Sequence, residues 1–521
     1  MNALALSNVK PERTAQELMQ DMLRQILLAP VYDVAKRTSL DPLPKLSARL
    51  GHQVLLKRED QQPVHSFKLR GAYNKLHGLT TAQRQAGVVA ASAGNHAQGL
   101  ALAAQQAGIR AIIVMPTTTP EIKVGAVRGY GGEVVLHGDS FDRAYSHAQS
   151  LAAEQGYTMV PPFDDEAVIA GQGTIGQELL QQKRDLDAVF IPVGGGGLIA
   201  GVAACIKALA PHIKIIGVEP EDAACLKAAL AAGHPVDLDR VGLFADGVAV
   251  KRIGTHTFDL AKHCVDAVVT VNSDEICAAI QDIYQDTRAI AEPAGALSLA
   301  GMKRYAQQHS ELPSQQWAAI LSGANINFHT LRYISERCEL GEGKEAVLAV
   351  TIPERKGAFL EFCRLLGKRA ITEFNYRLSS REQANVFVGL RLGEPSELAA
   401  LSDSLTSAGY HHQDLSKDET AKLHVRYMVG GVPPQNLNER LFHVHFPEHP
   451  GALEQFLSKL GGRWNISLFH YRNHGAATGR VLLGMELGDL DGASFAECLT
   501  TIDPDWREVT DSPAYQFFLR G

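Results

Sequence analysis

Ser66-Phe67-Lys68-Leu69-Arg70-Gly71 sets a lysine between a bulky aromatic and a glycine, a context in which its amine can serve as a nucleophile. A free lysine has a pKa of about 10.4, and Schiff-base chemistry needs the neutral amine, so the side chain must be partly desolvated or lie beside another cation. Phe67 and Leu69 supply apolar surroundings and Arg70 a neighbouring charge. The plain alternative is a solvated lysine at a helix start. What decides between the two is the company Lys68 keeps.

Three other stretches carry chemistry. Ser92-Ala93-Gly94-Asn95-His96-Ala97-Gln98-Gly99 follows the apolar run Val88 to Ala91 and precedes the alanine-rich Leu100 to Ala107, which reads as strand, polar loop and helix. A helix N-terminus offers unpaired N–H groups and a positive dipole end to an anion such as a carboxylate, and Asn95 and His96 add side-chain donors. Gly194-Gly195-Gly196-Gly197-Leu198 joins the strand-like Ala188 to Val193 to an apolar helix expected from Ile199. Four consecutive glycines let the backbone approach a phosphate without Cβ clashes, so several N–H groups converge on its oxygens. The same loop also satisfies a dinucleotide fingerprint through Gly195, Gly197 and Ala200, with Glu219 standing 19 residues past Ala200. At this point a nicotinamide-dependent oxidoreductase therefore stays open. The last stretch, Leu321-Ser322-Gly323-Ala324-Asn325, is a small polar turn after the apolar Trp317 to Ile320.

In order and spacing, Lys68, the Asn95 loop, the four-glycine loop and Ser322 resemble the fold-type II pyridoxal-phosphate enzymes. The wording of Ser66 to Asn74, of Ser92 to Gly99 and of Ala291-Glu292-Pro293-Ala294-Gly295-Ala296 resembles the threonine deaminases, or threonine ammonia-lyases, of that group. The resemblance implies that Lys68 forms a Schiff base with pyridoxal 5'-phosphate and removes the Cα proton. It implies that Asn95 bonds the cofactor's ring oxygen, that Gly194, Gly195, Gly196, Gly197 and Leu198 hold its phosphate through their backbones, and that Ser322 meets the pyridine nitrogen. Ser92, Gly94, Asn95 and His96 grip the substrate carboxylate on the same reading. A serine opposite the pyridine nitrogen makes a weaker electron sink than an aspartate, which favours loss of a β-substituent over transamination. Threonine would lose its β-hydroxyl as water, and hydrolysis of the enamine-type product would take a water back to give 2-oxobutanoate and ammonia, with serine a secondary substrate. A serine dehydratase or a serine racemase-like enzyme is the neighbouring alternative.

Two places depart from the group's pattern. Asp41-Pro42-Leu43 puts a carboxylate where a threonine hydroxyl is usual, and a carboxylate caps a helix equally well. Glu219, Ala223 and Cys225 occupy positions where some serine-processing relatives hold a divalent cation, and the thiol in place of a carboxylate argues against a metal.

Beyond Gly341-Glu342-Gly343-Lys344-Glu345 the texture changes to an internal duplication. Pro353-Glu354-Arg355-Lys356-Gly357-Ala358 recurs as Pro447-Glu448-His449-Pro450-Gly451-Ala452, an offset of 447 − 353 = 94. Phe374-Asn375-Tyr376-Arg377 recurs as Phe469-His470-Tyr471-Arg472, and Val386-Phe387-Val388-Gly389 as Val481-Leu482-Leu483-Gly484, both at an offset of 95. The slip marks a one-residue insertion. Each copy reads as a βαββαβ or ββαββα unit and resembles the ACT-like regulatory domains of biosynthetic threonine deaminases. That resemblance implies isoleucine as inhibitor, valine as opposing effector, Tyr376 and Tyr471 as effector-responsive residues and a homotetramer.

The elements that must position these residues follow from the same text. Through the first 335 residues, short apolar runs alternate with alanine-rich helical stretches, which argues α/β architecture with parallel sheets covered by helices. The expected layout is a catalytic domain over 1–337, a linker over 338–345, a first α+β module over 346–417, a linker over 418–440 and a second module over 441–512. A chain of 521 residues with 45% hydrophobic content can bury such cores, and a net charge of −7 offers no basic stripe for nucleic acid. Seven scattered cysteines without a C-x-x-C pair fit reduced thiols in the cytoplasm. Met1 to Gln16 carries no secretory pattern, and Pro192 with the four glycines breaks the one long uncharged stretch, Ala188 to Ile206, so no membrane span is expected.

Overall fold

The computed structural model describes residues 14–341, 343–353, 371–378, 383–394, 396–427, 438–447, 464–472, 478–488 and 491–519, with positions 362, 365, 366, 369 and 459. Two compact units divide at Ile326 and Asn327, ahead of the boundary expected at 337.

In the first unit the strands are β1 (Leu40–Pro42), β2 (Gln53–Arg58), β3 (Val88–Ala91), β4 (Ala111–Met115), β5 (Glu133–Leu136), β6 (Thr158–Met159), β7 (Ala188–Pro192), β8 (Lys214–Pro220), β9 (Ala267–Val271) and β10 (Gln316–Leu321). They form a six-stranded sheet, β1-β2-β10-β7-β8-β9, and a four-stranded sheet, β5-β4-β3-β6. Every pairing is parallel except that of the edge strand β1 with β2. Parallel strands are covered on both faces, so they read as unbroken apolar runs; β3, β4 and β7 are buried at every position.

Three helices bring the site together. The helix Glu166–Gln182 lies between Lys68–His77 and Gly197–Leu209, and glycines let the backbones touch. A Cβ on Gly171 would come within 2.6 Å of the Gly71 Cα, and one on Gly201 within 2.3 Å of the Ile169 carbonyl. The lysine and the four-glycine loop are thereby pulled onto one common support.

A buried ionic cluster locks the same support. Arg70 donates to Glu59 at 2.8 Å and to Glu178 at 2.7 Å, Lys57 donates to Glu178 at 2.5 Å, and all four side chains have no exposed surface. Arg70 is therefore turned into this cluster, and the sequence-based view of it as the cation beside Lys68 is corrected: a guanidinium whose pairing with two carboxylates offsets its desolvation has no reason to face the amine. Asp41 is corrected too. It sits in β1 and accepts from Arg58 at 2.9 Å, while the helix Pro44–Leu50 begins after Leu43 without a side-chain cap.

The second unit repeats one fold. The first copy has β11 (Glu345–Pro353), β12 (Ile371–Leu378), β13 (Gln383–Arg391), a helix Glu397–Ser407 and β14 (His411–Asp414). The second has β15 (Glu439–Pro447), β16 (Asn465–Arg472), β17 (Thr478–Glu486), a helix Gly492–Ile502 and β18 (Arg507–Glu508). The sheet orders, β12-β13-β11-β14 and β16-β17-β15-β18, are the same. Tyr376 opposes Val386, Tyr471 opposes Val481, and both second strands slip register at equivalent places, Ile371/Glu373 and Ile466/Leu468. The inserted residue accordingly falls between Pro447 and Ile466. The helices expected after the two Pro-Glu turns lie outside the described residues. So does Cys363.

One core serves both copies, drawing Val347, Ala349 and Phe387 from the first and Leu441, Leu482, Tyr515 and Phe518 from the second. The start of the stretch expected as a linker contributes to it: Glu419–Leu423 is helical, and Ala421 and Val425 pack into this core. Apolar residues spaced through that stretch bury more favourably than a solvated linker permits.

Candidate active site

The ends of β7 and β10 and the starts of the helices Lys68–His77, Asn95–Ala107 and Gly197–Leu209 surround one cleft that opens to solvent. Ligands of open parallel sheets bind at such carboxyl ends. Lys68, Asn95, Gly194, Gly195, Gly196, Gly197, Leu198 and Ser322 all line it. Ser92, Gly94 and His96 belong to the adjoining loop and are not among the lining residues.

Lys68 opens its helix, and the Nζ donates to the Pro162 carbonyl at 2.7 Å. Burial pulls its pKa down to about 8 against the opposing charge of Glu292. Desolvation alone thus does what Arg70 was expected to help with. The segment is stitched to the Ser322 turn by an antiparallel bridge between Ser66 and Gly323, and the Phe67 amide donates to the Ser322 carbonyl at 3.2 Å. Ser322 is buried, and its hydroxyl donates to the Ala294 carbonyl at 3.3 Å. Ser66 is also buried, and its hydroxyl has no hydrogen-bond partner.

The four-glycine loop turns through Gly196, whose φ of +91° is a left-handed value that glycine adopts freely. A Cβ on Gly195 would fall 2.2 Å from the Phe163 ring. Thr257 and Gly254 fix the loop from behind by donating to the Gly195 carbonyl at 2.8 and 3.2 Å. The helix Gly197–Leu209 starts from the loop without a side-chain cap, leaving its first amides for an external acceptor.

Asn95 starts the helix Asn95–Ala107, which likewise has no side-chain cap. The Nδ2 donates to Glu292 Oε1 at 2.6 Å, and the Oδ1 accepts from Asn325 Nδ2 at 2.7 Å. His96 is corrected as a side-chain donor toward the site: its ring is buried, with Nε2 at 2.8 Å from the Val160 carbonyl. Burial and the charge of Lys68 pull its pKa down to about 3.

The structure also removes the dinucleotide reading. Glu219 is fully buried, and its two oxygens accept from the amides of Leu226 and Lys227 at 2.7 and 2.9 Å, so the carboxylate caps the helix Cys225–Ala232 and faces no ribose site. Cys225 donates to the Gly194 carbonyl at 3.2 Å.

Sequence reasoning gave no role to Glu292, Phe163, Gly247 or Val248, all of which line the cleft. Glu292 stood in the quoted Ala291 to Ala296 wording and was the one recoverable signal. The other three sit in stretches with no local pattern.

An amine of lowered pKa, a backbone phosphate cup and a buried hydroxyl are the donor set that pyridoxal phosphate requires, and the residues present fit it. The family description "Pyridoxal-phosphate dependent enzyme" matches residues 31–323, and "C-terminal regulatory domain of Threonine dehydratase" matches 336–425 and 431–519. Fold, cleft and match define a pyridoxal-phosphate enzyme of fold type II. L-threonine dehydratase biosynthetic IlvA of Escherichia coli K12 is 59% identical over 502 residues, covering 96% of this chain and 97% of its own. The mitochondrial threonine dehydratase of Saccharomyces cerevisiae is 46% identical over 529 residues, covering 99% of this chain and 92% of its own. Among solved structures, the processed form of threonine deaminase isoform 2 from Solanum lycopersicum is 50% identical with a TM-score of 0.62, covering 63% of this chain and 90% of its own. The chain belongs to the threonine dehydratase family. Among the described residues no helix is long and apolar enough to cross a membrane.

Proposed function

We infer that the chain converts L-threonine to 2-oxobutanoate and ammonia in the cytoplasm, as the first step towards isoleucine, with L-serine a slower substrate. One observation carries this reading: a lysine amine with a pKa of about 8 meets Asn95, the glycine cup and Ser322 around one cleft. Bound pyridoxal phosphate supplies the electron withdrawal that acidifies Cα of the attached amino acid.

The chain's own residues do the rest. Lys68 would hold the cofactor, and its Nζ, neutral in part near physiological pH because burial lowers its pKa, would accept the Cα proton. The amides of Gly194 to Leu198 hold the phosphate, and Asn95 meets the ring oxygen. Ser322 presents a hydroxyl to the pyridine nitrogen without imposing a proton on it. Ser92, Gly94, Asn95 and His96 take the substrate carboxylate, with His96 acting through its backbone amide because its ring is engaged by Val160. The β-hydroxyl would leave as water by taking up one proton, which balances the Cα proton given to Lys68.

The duplicated modules bind branched-chain amino acids, isoleucine inhibiting and valine opposing it, with Tyr376 and Tyr471 in the response and a homotetramer as the assembly. The regulatory-domain match and the shared strand positions of the two tyrosines support this. Domain limits of 346–417 and 441–512 for the two modules remain part of the proposal, and the first boundary is taken between Ile326 and Asn327, where the compact units divide. Steady-state release of 2-oxobutanoate from threonine, with serine in parallel, tests the catalytic assignment. Lys68→Ala is expected to lower turnover by at least about a thousandfold; a variant at the wild-type rate overturns it.

A further inference from the structure

Glu292 is the acidic residue of the cleft to which no step above assigns a role. It is 4% exposed and stands immediately ahead of the helix Pro293–Gln308. Oε1 accepts from Asn95 Nδ2 at 2.6 Å and Oε2 from the Asn325 amide at 3.0 Å. Asn325 Nδ2 in turn donates to Asn95 Oδ1 at 2.7 Å and to the Val64 carbonyl at 2.8 Å. Gly323 leaves room for this arrangement, since a Cβ there would stand 2.4 Å from Glu292 Oε1.

As a carboxylate, Glu292 holds the Asn95 amide in one orientation, Nδ2 toward the acid and Oδ1 toward Asn325. A proton on the carboxyl removes its charge and adds an O–H donor, so Oε1 becomes a weaker acceptor for Nδ2. The grip on the Asn95 amide, and through Asn325 on the turn beside it, is loosened accordingly.

The charged groups facing Glu292 come from three elements. Lys68 lies at the start of the helix Lys68–His77, Asp246 on the short turn Asp246–Val248, and Lys123 on the helix Glu121–Gly129. Lys123 and Asp246 pair at 2.8 Å with 27% and 56% of their side chains exposed. Burial and then Asp246 push the Glu292 carboxyl up, to about 7, against Asn95, Lys123 and the Asn325 amide.

We propose that Glu292 is a positioning residue that holds a proton beside Asn95, and that the Lys123–Asp246 pair sets when the proton is present. The proposal rests on the assignment of Lys68 and Asn95 to the cofactor. Its test is a pH titration of the bound cofactor's absorbance in the full-length holoenzyme at low salt, together with the Kd for pyridoxal phosphate across the same range. The wild type should show a transition at about pH 7 that is absent from Glu292→Gln. Asp246→Asn should move the transition down, and Lys123→Ala should move it up, each by roughly half a unit. Opposite signs from the two halves of one ion pair are what a purely structural latch cannot give.

Shifts of the same sign, no shift in either variant, or a transition that persists in Glu292→Gln overturn the proposal. Should Glu292→Gln fail to fold, the two variants of the Lys123–Asp246 pair still decide. A Lys68→Ala protein that keeps covalently bound cofactor sinks the underlying site assignment instead, so the two failures are distinguishable.

Discussion

Arg70 Nη1 donates to Glu178 Oε1 at 2.7 Å, and neither side chain has any exposed surface. The two residues tie the helix that begins at Lys68 to the helix that supports the glycine loop. Arg70→Met keeps volume but leaves Glu59 without its guanidinium partner and Glu178 with Lys57, the Tyr32 hydroxyl and the Thr38 amide. Removing one partner of a buried ion pair costs about 3–5 kcal/mol, and denaturant unfolding of the variant should show a loss of that order. A loss below about 1 kcal/mol contradicts the structural weight given to the cluster.

Gly195 is predicted to accept no side chain while Phe163 stays in place. Gly195→Ala drives its Cβ to 2.2 Å from the Phe163 ring. Overpacking of this kind costs about 1–3 kcal/mol, and the displaced loop should also bind pyridoxal phosphate more weakly. Adding Phe163→Ala removes the ring and should restore most of the stability lost by Gly195→Ala, measured relative to Phe163→Ala alone. If the double variant is no better on that scale, the clash is not the cause.

His96 gives a signed pH dependence. Its pKa is lowered in the folded chain to about 3 by burial and by the charge of Lys68, so between there and its ordinary value of 6.5 the unfolded chain binds a proton that the folded chain refuses. The contribution to stability is complete above the ordinary value and is lost as pH falls towards about 3. Denaturation midpoints taken from about pH 7 downward should fall less steeply in His96→Gln than in the wild type. Equal slopes count against a buried neutral imidazole.

Regulation is predicted to reside in the second unit. A chain ending at Ile326 should retain threonine turnover and lose inhibition by isoleucine, with activity normalised to bound cofactor. Ending at Arg337 is less suitable. Arg337 pairs with Glu419 at 2.6 Å, and Tyr333 and Ile334 are buried, on a helix that belongs to the second unit. Unchanged inhibition in the shortened chain places the effector site in the first unit.

Much of this was readable in the sequence because the signals are local. Lys68, the glycine loop, the Asn95 loop and Ser322 each announce themselves within a few residues, and the offsets of 94 and 95 gave the repeat. Their arrangement was not local. Glu292 meets Asn95 across 197 positions, and Pro162 meets Lys68 across 94, so no window of sequence joins them. Arg70 was misread for the opposite reason: proximity in sequence favoured Lys68 as its neighbour, whereas pairing with two buried carboxylates decided where the guanidinium went. His96 was misread likewise, because a ring in a polar loop finds a backbone carbonyl before it finds a ligand. Glu219 matched a fingerprint by spacing alone. The amides of the helix Cys225–Ala232 had a nearer use for its carboxylate.

The central claim is that Lys68 carries the cofactor. Borohydride reduction of the purified full-length protein, followed by proteolysis and mass mapping, tests it in one step by fixing pyridoxal phosphate wherever it is bound as an imine. The label is predicted on the peptide containing Ser66 to Gly71, at Lys68 alone. Label on another lysine, or none on a protein that turns over threonine, contradicts the account.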